Sequence, residues 1–313
     1  KVFEEHVEQV RHADQLGFET AWFAEHHFSN YCICPSPLIM VAHCAGKTDR
    51  IKLAPAVLVT PLYDPARLLA EIGMADCLSG GRLVLGLGSG YQPYEFERFH
   101  QELANARPML SEFIDMLDLA FLEDTFEYHG EHYDLPSTHI SARPVNGLPE
   151  IWIAGDHEYG HRLCARKGYV PMFTGRWLGA DYQRQQREYI AKSYVAEGRD
   201  PDSMPLAVQR FMGVTKTREE TLAYVDNARH QMRLASALRR RAEVTDGAMM
   251  REIPIPDEPP LEEIADQLLV GDCETIAERL CNEIQACRPL HMMFHFQVGA
   301  SAHAHALMTM EKL

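Results

Sequence analysis

No stretch of the chain approaches the ~20 uninterrupted apolar residues that a membrane-crossing helix needs, although 46% of its 313 residues are hydrophobic. A basic-then-apolar leader is missing as well, so the sequence reads as a soluble, cytoplasmic protein without a membrane partner. Positive charge is short. Lysine and arginine number 30 against 45 acidic residues, a formal net charge of −15, which disfavours a nucleic-acid backbone or an anionic lipid surface. Repeats and low-complexity tracts are absent. Most of the eight cysteines sit inside apolar helical or strand patterns, which suits reduced, core-filling thiols better than a disulfide framework in a chain this long. Cys32 and Cys34 are the exception, one residue apart and close after two histidines. Structural zinc, however, wants a gap of about two to four residues and a second ligand pair, which the sequence does not offer.

What is present is an alternation of strand-like and helix-like segments. Residues 3–16 read as a helix closed by Gly17, and a short strand follows. Ser36-Pro37 starts a helix through Thr48. Ile51–Val59 is β-branched and apolar, as a buried parallel strand should be. Asp64-Pro65 is an N-cap followed by proline at the first helical position, and Ser79-Gly80-Gly81 closes that helix. Arg82–Leu87 is a strand, residues 105–122 a helix, Ile151–Ala154 a strand, His157–Lys167 a helix ended by Gly168, and Tyr169–Phe173 a strand. Helix 180–197, strand Leu206–Val214, a capped helix from Asp272 through Gln285 and a last strand at His291–Val298 continue the rhythm. Helices between strands argue for a parallel sheet with right-handed crossovers. The simplest architecture is an α/β fold of the (β/α)8 TIM-type barrel class, one domain over residues 1–313. The strand count reaches eight only if a first strand precedes Lys1. The rhythm breaks between residues 219 and 263, where a helix carrying Arg239-Arg240-Arg241 leads into an acidic, proline-rich segment. That insertion reads either as a solvated elaboration or as a cover over the barrel mouth.

The stretch Glu19–Phe28 reads E-T-A-W-F-A-E-H-H-F, a strand delivering three ionisable groups at its C-terminal end, where barrel enzymes place catalytic side chains. Successive strand residues face opposite ways, so His26 and His27 cannot both enter one pocket. An imidazole titrates near neutrality and can give or take a proton. Gly86-Leu87-Gly88-Ser89-Gly90 follows a strand and lets backbone approach a ring or phosphate, but it is not a dinucleotide fingerprint. Ala154–Gly160 joins a strand to a helix N-terminus, whose amides suit a phosphate. The same stretch also reads as an ordinary capping turn with Asp156 as N-cap.

E-H-H-F at Glu25–Phe28, paired with L-S-G-G-R-L-V-L-G-L-G-S-G-Y-Q-P-Y-E-F at Leu78–Phe96, resembles the bacterial luciferase-like, flavin-dependent monooxygenases. Ile51–Pro61, Asp64–Gly90 and Glu150–Gly168 extend the likeness over most of the first 175 residues. The resemblance implies His26 as the catalytic histidine, with Glu25 and His27 as supports. It implies a cofactor bordered by Ala56, Val57, Gly88, Ser89 and Tyr91, with its phosphate near Gly155, His157, Tyr159 and Gly160. It also implies a cis peptide bond between Ala56 and Val57. Two positions depart from luciferase itself: a reactive cysteine falls on Gly88, and a phosphate-binding arginine on Ser89. The departures argue against light emission and require a differently built phosphate clamp.

The activity implied is oxygenation of a small apolar organic substrate by reduced FMN and O2. With no nicotinamide site visible, a separate NAD(P)H-flavin reductase would supply the reduced cofactor. The family also implies a homodimer. The same barrel can serve F420-dependent hydride transfer, or bind flavin without turnover. A metal-dependent hydrolase built on His26, His27 and Cys32 is the alternative of another class.

Overall fold

The computed structural model describes residues 1–313. Two compact units divide the chain, Lys1–Trp152 with Leu238–Met249, and Ile153–Ala237 with Met250–Leu313.

The first unit opens with α1, Val2–Leu16, which buries Val10 and Ala13 and ends at Gly17 in the left-handed conformation, φ 96°. Strand β1 is Thr20–Phe23 and helix α2 is Pro37–Ala45. α2 stops short of the expected Thr48, whose hydroxyl turns back to donate to the Cys44 carbonyl at 2.9 Å. Such local side-chain bonds compete with continued helix. The single strand expected over Ile51–Val59 is two, β2 at Lys52–Pro55 and β3 at Leu58–Val59. β1 and β2 pair in parallel from Thr20–Lys52 to Phe23–Pro55, and the Ala56 amide makes the last bond of that ladder, to Phe23 O at 2.7 Å. The Ala56–Val57 peptide is cis, as expected. Beyond it the chain pairs with another strand, β4 at Val84–Gly88, with Leu58 opposite Leu87 and Val59 opposite Gly88. Ahead of the interruption β2 already touches the same neighbour, since the Leu53 amide donates to the Arg82 carbonyl at 3.0 Å and Leu53 bridges Leu83.

Between β3 and β4 runs α3, Pro65–Ser79, capped by Asp64 accepting from Arg67 N and closed by left-handed Gly80, as the residue types predict. After β4 come α4, Pro93–Arg98, and α5, Ala106–Leu122. An antiparallel hairpin not anticipated from the sequence follows, β5 at Phe126–His129 and β6 at Asp134–Thr138. The Glu112 carboxylate, reaching from α5, accepts the amides of Glu131, His132 and Tyr133 in its turn. Strand β7, Glu150–Ala154, carries the boundary between the units.

In the second unit α6, Glu158–Lys167, ends at left-handed Gly168. β8, Val170–Thr174, α7, Ala180–Ala196, and β9, Ala207–Val214, follow. Helix α8, Arg218–Arg240, is the longest, and its last residues group with the first unit. Short strands β10, Thr245–Asp246, and β11, Met249–Met250, lead to α9, Leu261–Gln267. The chain closes with β12, Leu269–Gly271, α10, Cys273–Cys287, β13, His291–His295, and α11, His303–Met310. β9 is the hub: β8, β12 and β13 all pair with it in parallel. Much of α8 is core. Tyr224, Val225 and Ala228 are buried against Phe211, Ile264 and Leu268, so the stretch read as an insertion includes structural helix. All eight cysteines are free thiols. No helix is long and apolar enough to cross a membrane.

Candidate active site

β1 ends at Phe23, and the next residues leave the sheet as an extended strand end with polar side chains. The His26 amide is held by the Cys34 carbonyl at 3.1 Å, which folds the Cys32–Cys34 loop back over this end. Two buried carboxylates then separate the histidines. Glu25, 2% exposed, places one oxygen 2.9 Å from His27 Nε2 and the other 3.0 Å from the Val59 amide, tying the ends of β1 and β3 together. Glu95, 1% exposed, reaches from α4 to His26 Nδ1 at 3.1 Å and to the His27 amide at 2.7 Å, both through the same oxygen. His27 is buried, with its ring between Glu25 and the Phe99 ring, whereas the His26 ring is held by Glu95.

All protein contacts of the His26 ring nitrogens fall on Nδ1, since the Gln92 side-chain amide also lies 3.1 Å from that atom. A carboxylate accepts, so the arrangement favours the tautomer that carries its hydrogen on Nδ1. Two phenols complete the surroundings. Tyr31 lies 4.7 Å and Tyr91 5.8 Å from the His26 ring, centroid to centroid. Their hydroxyls hydrogen-bond each other, and the Gln92 side-chain amide lies 3.1 Å from the Tyr91 hydroxyl. Burial pushes both hydroxyls above the ordinary tyrosine value, so both stay neutral. Arg239 also meets Tyr91, its guanidinium carbon 4.8 Å from the ring centroid.

The expected cofactor-facing residues of this unit cluster around the β3–β4 pairing. A Cβ on Gly88 would sit 2.6 Å from Val57 Cγ2, so Val57 occupies the space that any larger residue at 88 would need. Ser89 is nearly buried, 8% exposed. Gly90 adopts φ 76°, and a side chain there would strike Val59 and Phe96.

In the second unit, the turn between β7 and α6 differs from the capping turn with Asp156 as N-cap. The N-cap is His157, whose Nδ1 accepts the Gly160 amide at 3.1 Å. Asp156 is instead 3.8 Å from the Arg176 guanidinium. Tyr159 stacks on His157, centroids 6.3 Å apart. Gly155 and Gly160 both lie against the His157 ring, about as closely as a Cβ would tolerate. Buried His161 reaches back to the Gly155 carbonyl at 3.1 Å. The four expected residues thus form one turn at a helix N-terminus, where the dipole and first amides favour an anion.

Sequence reasoning missed Glu95, Gln92, Tyr31 and Arg239. The first two lie inside the quoted Y-Q-P-Y-E-F run, where a proline-started turn of helix carries a glutamate. Period alone gave no sign that this glutamate is buried.

A family model described as luciferase-like monooxygenase matches residues 1–287. Among curated relatives, an uncharacterized protein of Sinorhizobium fredii, y4vJ, is 38% identical over 295 residues, covering 94% of this chain and 84% of that protein. The oxygenase component of a flavin-dependent trigonelline monooxygenase from Acinetobacter baylyi is 30% identical over 182 residues, 57% of this chain and 50% of that protein, so the match spans half that relative's length. Among solved structures, monooxygenase RslO1 from Streptomyces bottropensis superposes with a TM-score of 0.83 at 19% identity, covering 99% of this chain and 90% of that one. The oxygenating constituent of 3,6-diketocamphane monooxygenase from Pseudomonas putida, in complex with FMN, gives 0.79 at 20% identity, with 99% and 90% covered. An F420-dependent secondary alcohol dehydrogenase gives 0.77 at 13% identity, with 98% and 93% covered. The fold is therefore that of the expected α/β, TIM-type class.

Proposed function

The chain belongs to the luciferase-like, flavin-dependent monooxygenase family, and from that premise we propose that it is the oxygenase component of a two-component system. In this reading a separate NAD(P)H-flavin reductase supplies reduced FMN, and a small apolar organic substrate is oxygenated with O2. The relative described as an oxygenase component supports the division of labour.

In the first unit Ala56, Val57 and Gly88 suit the apolar face of an FMN ring, and in the second the Gly155–Gly160 turn suits a phosphate through its helix amides. Ser89 brings no cation, so the helix terminus carries more of that task than an arginine clamp would leave it. When bound, reduced FMN supplies the electrons that activate O2. The chain's own contribution is to orient the ring, exclude water and hold a proton donor or acceptor beside it.

The observation that carries this reading is the fixed state of His26. Glu95 holds its Nδ1, which leaves Nε2 as the atom able to take up or release a proton. The test mixes the protein with reductase-generated reduced FMN and a panel of small apolar compounds, and measures O2 consumed against oxygenated product. His26→Ala should lower turnover by ~10²–10⁴-fold with flavin affinity nearly unchanged. Oxidation of an alcohol by F420 without O2 consumption would replace this reading with hydride transfer. Homodimerisation belongs to the same proposal and is read by light scattering.

A further inference from the structure

Central strands of a parallel sheet are apolar on both faces as a rule, and β9 breaks that rule at two adjacent positions. β8 and β13 flank it, yet Gln209 and Arg210 stand in its run. Side chains alternate between faces along a strand. Val208 packs with Ile190 and Tyr194 of α7, and Arg210 binds Glu283 of α10, so the even positions face the helices. Gln209 lies on the opposite face of the sheet, beside Ala207. The strand registers bring Thr174 and Met293 next to Gln209, and Met172 next to Ala207. Ala207 and Met172 are buried, Met293 and Gln209 half-buried, and Thr174 exposed. Hydrogen bonds orient the glutamine amide. The Arg176 backbone N–H donates to Thr174 Oγ1 at 3.3 Å, and that hydroxyl lies 2.8 Å from Gln209 Oε1. A hydroxyl has one hydrogen to give. With the amide oxygen toward Thr174 this hydrogen finds an acceptor, and with the NH2 end it would find none, so the oxygen belongs there. The two Nε2 hydrogens of Gln209 remain, with no protein acceptor, beside alanine and methionine side chains.

We propose that Gln209 selects the substrate by donating a hydrogen bond to a neutral carbonyl oxygen on an otherwise apolar molecule. This deepens the proposed oxygenation and rests on it for the word substrate. A neutral donor among apolar side chains suits a neutral acceptor. A buried anion would need a cation to offset its desolvation, and Arg210 is engaged with Glu283 on the other face. A hydrocarbon of the same shape fills the apolar surroundings but displaces water from the amide without replacing its hydrogen bond. That penalty is what turns one donor into discrimination.

A flavin ring carries carbonyl oxygens too, so the experiment separates the two sources. The full chain, its side-chain amides labelled with nitrogen-15, is titrated with cyclohexanone, with methylenecyclohexane as the hydrocarbon analogue, and with oxidised FMN. Wild type, Q209L and Q209N are compared, and the amide signal missing from both variants is that of Gln209. Cyclohexanone should move this signal downfield. Wild type should prefer cyclohexanone to methylenecyclohexane by about fivefold, as one neutral hydrogen bond would give. Q209L should lose that preference while keeping its methylenecyclohexane and FMN affinities, and Q209N, one methylene shorter, should lose most of it. Equal binding of the two probes by wild type, or an intact preference in Q209L, would overturn the proposal. So would a Gln209 signal that stays still on saturation with cyclohexanone, a readout that needs no stable leucine variant. A signal that moves with FMN alone would assign the amide to the cofactor and overturn it as well. Binding is read without turnover. A Gln209-dependent preference in a protein that never couples O2 to product would therefore sink the oxygenase reading and leave the carbonyl site standing.

Discussion

The Glu95 oxygen that lies 3.1 Å from His26 Nδ1 is the same atom that accepts the His27 amide at 2.7 Å. One buried carboxylate thus sets both the backbone and the ring of the strand end that carries the proposed chemistry. Gln92, fully buried, lies 3.1 Å from the same Nδ1. A protonated Nδ1 cannot also receive a hydrogen from that amide. The hydrogen bonds are best satisfied with the Gln92 oxygen facing Nδ1 and the Tyr91 hydroxyl donating to it, an orientation of the kind that heavy-atom positions leave to be assigned.

Replacing Glu95 with glutamine keeps the shape and removes the charge. Turnover should then fall ~10²-fold, with flavin affinity nearly unchanged and the pH profile of the reaction displaced. Nitrogen-15 spectra of labelled His26 would show Nδ1 protonated in the neutral wild-type ring and a mixture of tautomers in the variant. A wild-type ring protonated on Nε2 would end this account of the site.

Gly88 should resist substitution for a purely steric reason. A Cβ there would lie 2.6 Å from Val57 Cγ2, and valine, branched at Cβ, has few rotamers to retreat into. Gly88→Ala is expected to cost ~1–3 kcal/mol, the usual penalty of overpacking. Adding Val57→Ala should recover much of it. Urea unfolding of the single and double variants measures both, and an equally destabilised double variant would show that the clash lies elsewhere.

Local chemistry made much of the fold legible. Gly17, Gly80 and Gly168 each end a helix in the left-handed region, and Asp64 and Asp272 cap the helices they precede. Those signals act within one turn of chain and need no distant partner. Where a distant partner decides, the sequence was silent. Ile51–Val59 has an unbroken strand composition, yet it forms two strands, β2 in register with β1 and β3 in register with β4. Asp156 is the better capping residue by type, but it pairs with Arg176, and His157 takes the cap. Glu95 looks like a solvent-facing residue in a helical turn until His26 is brought to it from 69 positions away. The place of His26 just beyond a strand end was readable because the strand pattern ahead of it is local. Its carboxylate partner was not.

His161 gives the second unit a pH dependence. Burial depresses its pKa, outweighing the Gly155 carbonyl and the Asp156 and Glu158 charges that favour the protonated ring. The folded state therefore takes up a proton less readily than the unfolded chain. The stabilisation is complete above the unfolded histidine value of ~6.5 and is lost as pH falls from there through the folded value. Amides in the first turn of α6 should lose hydrogen-exchange protection over that range, after correction for intrinsic rates. Protection unchanged between mildly alkaline and mildly acid solution would refute the link.

Deepest in the second unit, Arg210 in β9 is 0% exposed and Glu283 in α10 is 3% exposed. The guanidinium donates twice to that carboxylate, at 3.0 and 2.7 Å, and also to the carbonyls of Arg176 and Gln267. Burial pushes Glu283 up and Arg210 down, so each resists its charge and each is kept charged by the other. Glu283→Ala would strand a buried cation, at a cost of ~3–5 kcal/mol. Replacing the pair together, Arg210→Met with Glu283→Leu, removes both desolvation penalties and should cost far less than the single change. The Arg176 carbonyl would lose its donor in the double variant, so the Asp156–Arg176 contact at the α6 turn should loosen even where global stability survives. Urea unfolding measures the first effect, and hydrogen exchange at residues 154–160 the second. A single variant as stable as the double one would mean that the two charges do not depend on each other, and that β9 and α10 are held by apolar packing alone.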